Sequence, residues 1–143
     1  MITPHQWKKI LVPTDFSEDS LKAAREARKF QQLIQAEVVL VHVAEPPFEG
    51  LRIQTGEIHH EVKTSAARQL HTLAAEHFPD STLVTMLVEE GRAGEVVCDL
   101  ARTVNADVIF IATHGITALK HFMLGSVAEK VVGHAPCSVL VVR

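Results

Sequence analysis

The sequence predicts an α/β domain built on an open, doubly wound parallel sheet of five strands, with helices on both faces. Three observations predict it: five short runs of Val, Ile and Leu, helical stripes between them, and strict alternation of the two. Continuous apolar runs suit strands covered on both faces, and alternation with helices demands right-handed crossovers. Residues 1–143 are expected to form one such domain.

The first strand is read at Ile10-Leu11-Val12. Ser17 then precedes a helix traced by Leu21, Ala24, Ala27 and Phe30. Val38 to Val43 is the second strand, followed by a long connection from Glu45 to Glu57 that carries Pro46, Pro47, Gly50 and Gly56. Connections of that length are either functional lids and contacts or plain surface loops. Ile58, Val62, Ala66, Leu70, Leu73, Ala74 and Phe78 form the stripe of a second helix. The third strand is Leu83 to Val88, and Val96, Val97, Leu100, Ala101 and Val104 mark the next helix. Val108 to Ala112 is the fourth strand and Val139 to Val142 the fifth. Between them Ser126-Val127-Ala128-Glu129 reads as a capping box opening a short helix through Val127, Val131 and Val132, which Pro136 ends.

Composition narrows the function classes. Fourteen Lys and Arg stand against 17 Asp and Glu, a net charge of −3 with no footprint for nucleic acid or an anionic membrane. Tyrosine is absent and Trp7 is the one tryptophan, so the stacking platform of a single-strand binder is missing. No apolar run reaches bilayer length, and Met1 to Lys9 lacks the apolar core of a signal peptide. Two cysteines, Cys98 and Cys137, make neither a disulfide framework nor a zinc site, so a cytoplasmic protein is expected.

Ligands of open α/β sheets sit outside the carboxyl ends of the strands, where the strand order reverses. Here those ends carry Pro13-Thr14-Asp15, His42, Glu89-Glu90-Gly91 and Ala112-Thr113-His114-Gly115, the last followed by Gly125-Ser126-Val127 at a helix start. Amide groups and the dipole at such a start suit a phosphate.

Several stretches carry a resemblance. Lys8 to Ser17 (KKILVPTDFS), Gly91 to Val97 (GRAGEVV), Asn105 to Gly115 (NADVIFIATHG), Leu124 to Glu129 (LGSVAE) and Ala135 to Val142 (APCSVLVV) resemble the universal stress protein family, in order and over nearly the whole chain. The resemblance implies a strand order of 3-2-1-4-5, a homodimer through the last strand (Val139, Leu140, Val141), and a regulatory module binding ATP or another adenine nucleotide. Mg or Mn on the phosphates accompanies that expectation. The family's nucleotide-binding branch carries Gly-x-x-Gly, nine residues, then Gly-Ser/Thr. Gly115 and Gly125-Ser126 keep that spacing, whereas Ala112 stands at the first glycine and Ile116 where a basic residue is common. By the same resemblance Asp15 accepts bonds from ribose or from a metal's water, and backbone near Val41 and Val43 meets the adenine edge.

Plainer readings stand beside these. Asp15 to Glu18 has capping-box spacing, Ser126 reads as an N-cap, and Gly115 and Gly125 serve turns as well as phosphates. His114 is either a general base or a loop-stabilising side chain. His59, His60, His71 and His77 do not share one helical face at ligand spacing and read as solvated. Cys98 reads as a small buried hydrophobe. Two alternatives to nucleotide binding remain: a homologue acting through its dimer surface alone, and a slow ATPase. The second lacks a Walker lysine, a dinucleotide fingerprint and a pyrophosphatase-type loop, and Asp15, His114 and Lys120 are its only candidates.

Overall fold

The computed structural model describes residues 6–46, 56–79, 83–114 and 124–143, with backbone alone for 56–59. Five strands, β1 (Lys9–Pro13), β2 (Glu37–Ala44), β3 (Val84–Glu90), β4 (Val108–Ala112) and β5 (Ser138–Val142), alternate with four helices among these residues. The helices are α1 (Glu18–Ile34), α2 (Gly56–His77), α3 (Ala93–Thr103) and α4 (Ser126–His134). All strand pairs are parallel, in the order β3-β2-β1-β4-β5. β1 is central, with Ile10 beside Val38 on one side and Val108 on the other. The strand order therefore reverses between β1 and β4.

The apolar runs are continuous because both faces of the sheet are covered. Ile10, Val12, Leu40 and Phe110 pack with Ala24 and Ala27 of α1 and Leu70 and Leu73 of α2. Leu11, Val39, Val41, Ile109 and Ile111 face Val97, Cys98 and Ala101 of α3 and Ala128 and Val131 of α4. Alternation within each run sends successive side chains to opposite layers.

Ser17 caps α1, its side chain accepting from the Ser20 N–H. The capping box expected over Ser126 to Glu129 is replaced by a different start. Gly125 is the N-cap, in extended conformation with φ −60° and ψ 158°, and Ser126 is the first helical residue. The bond from the Gly125 N–H to the Thr113 carbonyl, 2.7 Å, anchors Gly125 outside the helix. The Gly125 carbonyl then accepts the first intrahelical bond, from Glu129, at 2.9 Å.

Within the apolar stripe of α2, Ala66, Leu70 and Leu73 are buried, whereas Val62 is 47% exposed. Length explains this. A helix of 22 residues is about 33 Å long, whereas the seven residues of β3 span about 23 Å. The first turns of α2 therefore overhang the carboxyl edge of the sheet, held there by Lys63–Glu90 at 3.3 Å.

Candidate functional site

The loop after β1 is braced by its own polar side chains. Thr14 N–H donates to the Val41 carbonyl at 2.8 Å, tying the loop to β2. The buried Thr14 hydroxyl accepts from Phe16 N–H at 3.0 Å and shares a 2.9 Å bond with the Ser20 hydroxyl. Asp15 Oδ1 accepts from Ser17 N–H at 3.0 Å, so the acid stands two residues before the cap of α1. Phe16 has φ +65°, a left-handed conformation rare for a bulky residue. Its ring stacks on His42 with centroids 4.7 Å apart, and His42 Nδ1 lies 2.9 Å from the Thr14 carbonyl. A carbonyl only accepts, so Nδ1 carries the proton.

At the end of β2, Glu45 reaches the start of α3. The N-cap of that helix, Arg92, makes no side-chain capping bond, and Glu45 Oε1 accepts from Ala93 N–H at 3.0 Å instead. Gly91, at φ +132°, brings the chain close enough for its N–H to meet the Ala44 carbonyl at 3.1 Å. A Cβ on Gly91 would fall 2.9 Å from Val96 Cγ2.

These ends enclose a cavity of about 480 Å³ at the crevice between β1 and β4, within the range of small-molecule sites. Nine residues singled out in the sequence line it: Pro13, Thr14, Asp15, Val43, Ala112, His114, Gly125, Ser126 and Val127. Val41 does not. It is fully buried in the layer under α3 and α4, and its carbonyl is the one held by Thr14. Gly115 lies outside the described residues, as do Ile116 and Lys120. His114 is 14% exposed, with Nδ1 3.9 Å from Asp19 Oδ2.

His42, placed by the sequence at the same strand ends, lines it too, and the lining residues that the sequence did not point to include Ser20, Glu45 and Val62. Ser20 follows Ser17 by three positions, a serine pair whose signal was absorbed by the cap. Glu45 sits one residue past β2, where a strand-end acid resembles loop composition.

The chemistry of the cavity is asymmetric. Its α4 end presents the amides of Ser126, Val127 and Ala128, which precede the first intrahelical bond and point along the helix axis. Such a helix start suits an anion. Its β1 and β2 side presents the carboxylates of Asp15 and Glu45 with apolar Val43 and Ala44 between, suited to hydroxyls and a flat apolar group. Among the described residues no group of three or more His, Cys, Asp or Glu is arranged to hold a metal ion. No helix among them is long and apolar enough to cross a membrane.

Residues 6–143 match the pattern of the universal stress protein family. The chain is 36% identical to universal stress protein MJ0531 of Methanocaldococcus jannaschii, over 96% of its own length and 82% of that protein's. It is 30% identical to MJ0577 of the same organism, over 96% and 95% of the two lengths. The solved structure of MJ0577 superposes with a TM-score of 0.82, covering 95% of each chain. A universal stress protein solved in complex with cAMP shares the fold at a TM-score of 0.71 and 22% identity, covering 96% of this chain and 97% of that one.

Proposed function

The chain belongs to the universal stress protein family, and from that premise we propose that it is a cytoplasmic regulatory module that binds ATP or another adenine nucleotide. One observation carries the reading: a single cavity brings Asp15, Val43 and the Gly125-Ser126-Val127 helix start together across the point where the strand order reverses. In this reading the phosphates lie against the amides at the start of α4, with Mg or Mn bound to them rather than to protein side chains. Asp15 accepts from the ribose or from water on that metal, and the backbone at Val43 meets the adenine edge. Val41 has no part in it, since it does not line the cavity. A homodimer paired through β5 accompanies this function.

A second reading has a specific observation behind it. Ala112, where the family's phosphate motif has glycine, lines the cavity, and its methyl would crowd a phosphate seated as closely as the glycine allows. Overpacking of this kind costs about 1–3 kcal/mol, enough to favour a homologue that works through its dimer surface without nucleotide.

Titration calorimetry with Mg-ATP on the wild type and three variants separates the two. Gly125→Val abolishes binding while the fold persists, because φ −60° and ψ 158° suit any residue. Asp15→Ala weakens binding roughly tenfold, the scale of a lost hydrogen bond to a charged group. Ala112→Gly leaves affinity unchanged or raises it. A silent wild type beside a binding Ala112→Gly supports the second reading, and silence from both sinks the first.

A further inference from the structure

A second cavity of about 380 Å³ adjoins the first, sharing Glu45, Ala93, Ser126 and Val127 with it, between the starts of α3 and α4. Two cations belong to its wall, Arg92 at the N-cap of α3 and Lys130 from the second turn of α4. Gly94 makes that arrangement possible. A Cβ on Gly94 would stand 2.7 Å from Lys130 Cγ and 2.8 Å from Lys130 Cβ, so the lysine stem fills the space a side chain would take. Glu45 and Glu95 complete the charged lining, and Glu45 is engaged by the Ala93 N–H.

Cations placed beside the helix start that serves the first cavity extend an anion path outward from it. Carboxylates on the same wall offer acceptors to hydroxyl groups. A single phosphate would leave much of this open groove of about 380 Å³ unfilled. We propose that the second cavity is the subsite for the far half of a dinucleoside polyphosphate, a nucleotide whose phosphate chain carries a second nucleoside. The proposal rests on the nucleotide reading of the first cavity. The chain passes over the Ser126 start of α4, Arg92 and Lys130 neutralise its distal phosphates, and Glu95 accepts from the second ribose.

Calorimetry with ATP and with diadenosine tetraphosphate, each at the same magnesium concentration, tests this. The wild type binds the dinucleotide about tenfold or more tightly than ATP. In Arg92→Ala/Lys130→Ala that advantage disappears, while affinity for ATP stays within about twofold. Gly94→Ala dislodges the lysine stem and loses part of the same advantage. If the double variant fails to give a folded circular dichroism spectrum, Gly94→Ala carries the comparison alone. A wild type that binds ATP at least as tightly as the dinucleotide overturns the proposal and leaves the nucleotide reading standing. Equal weakening of both ligands by the double variant also overturns it, since the cations would then serve the first cavity. A wild type that binds neither ligand removes the nucleotide reading and this proposal together.

Discussion

Thr14 holds three elements at once: its N–H is on β2, its hydroxyl on Ser20 of α1, and its carbonyl receives His42. That bracing lets Phe16 keep a left-handed backbone, a strain of about 1–2 kcal/mol, and so fixes where Asp15 points. Ser17 closes the same turn as the cap of α1. Ser17→Ala should lower unfolding stability by about 1 kcal/mol in urea titration, since Ser20 N–H loses its acceptor. An unchanged midpoint would mean that Asp15 takes over the cap. The two thiols make a second residue-scale case. Burial pushes Cys98 up from its ordinary value of 9.0, with Asp99 adding to this and Arg102 and Lys130 opposing it. Burial likewise raises Cys137, with Asp107 and Cys98 contributing. A folded-state value above the unfolded one gives stability that is complete below the ordinary thiol range and is lost as pH rises through it toward the folded value. Stability should therefore fall above about pH 9, and fall less in Cys98→Ala/Cys137→Ala. The chain has no tyrosine to titrate in the same window. Parallel alkaline limbs in the two proteins would contradict this.

At the scale of elements, α4 is the least secured helix. It has nine residues, no side-chain cap, and Gly133 in its last turn. A Cβ on Gly133 meets nothing within 4 Å and its φ is not positive. Gly133→Ala should thus stabilise the protein by about 0.5–1 kcal/mol through helix propensity alone, read as a raised melting temperature with nucleotide binding untouched. The strands and helices were legible because their apolar periods are unambiguous, and β4 begins and ends where Val108 to Ala112 predicts. Two details were not. Ser126 looked like a cap because Ser and Glu three apart carry that signature, yet the Gly125–Thr113 bond shifts the helix start by one residue. Val62 fits the α2 stripe in period, but period is blind to the length of the sheet beneath it. The candidate cavity was legible through strand-end and helix-start residues, nine of which line it. Val41 and Val43 were indistinguishable in sequence, being alike and two apart, and only the structure tells that Val43 lines the cavity while Val41 is buried beneath it.

The whole molecule has two sheet edges among its described strands, β3 and β5. β3 ends in Glu89 and Glu90, charges that discourage further pairing at that edge. β5 reads Ser-Val-Leu-Val-Val without a charge, paired to β4 on one side alone. Antiparallel pairing with a second copy about a two-fold axis would satisfy that open flank. Light scattering at micromolar concentration should give the dimer mass for the wild type and the monomer mass for Leu140→Lys. A wild-type monomer would end this account of the edge.

The carboxylate of Asp107 accepts the N–H groups of both Lys8 and Lys9, at 2.8 and 2.9 Å, across sequence separations of 99 and 98 residues. Beside that clasp, the Trp7 ring meets Phe110 of β4 edge-on, centroids 6.4 Å apart. The innermost strand is thus made well before β4, and one whole flank of it waits for a partner that lies far downstream in sequence, Ile10 pairing with Val108. A nascent chain can zip β1 to β2 early, but it carries an open apolar ribbon until β4 arrives, the interval in which unfinished chains are prone to aggregate. The pace of synthesis between these two segments then sets how long that ribbon stays uncovered.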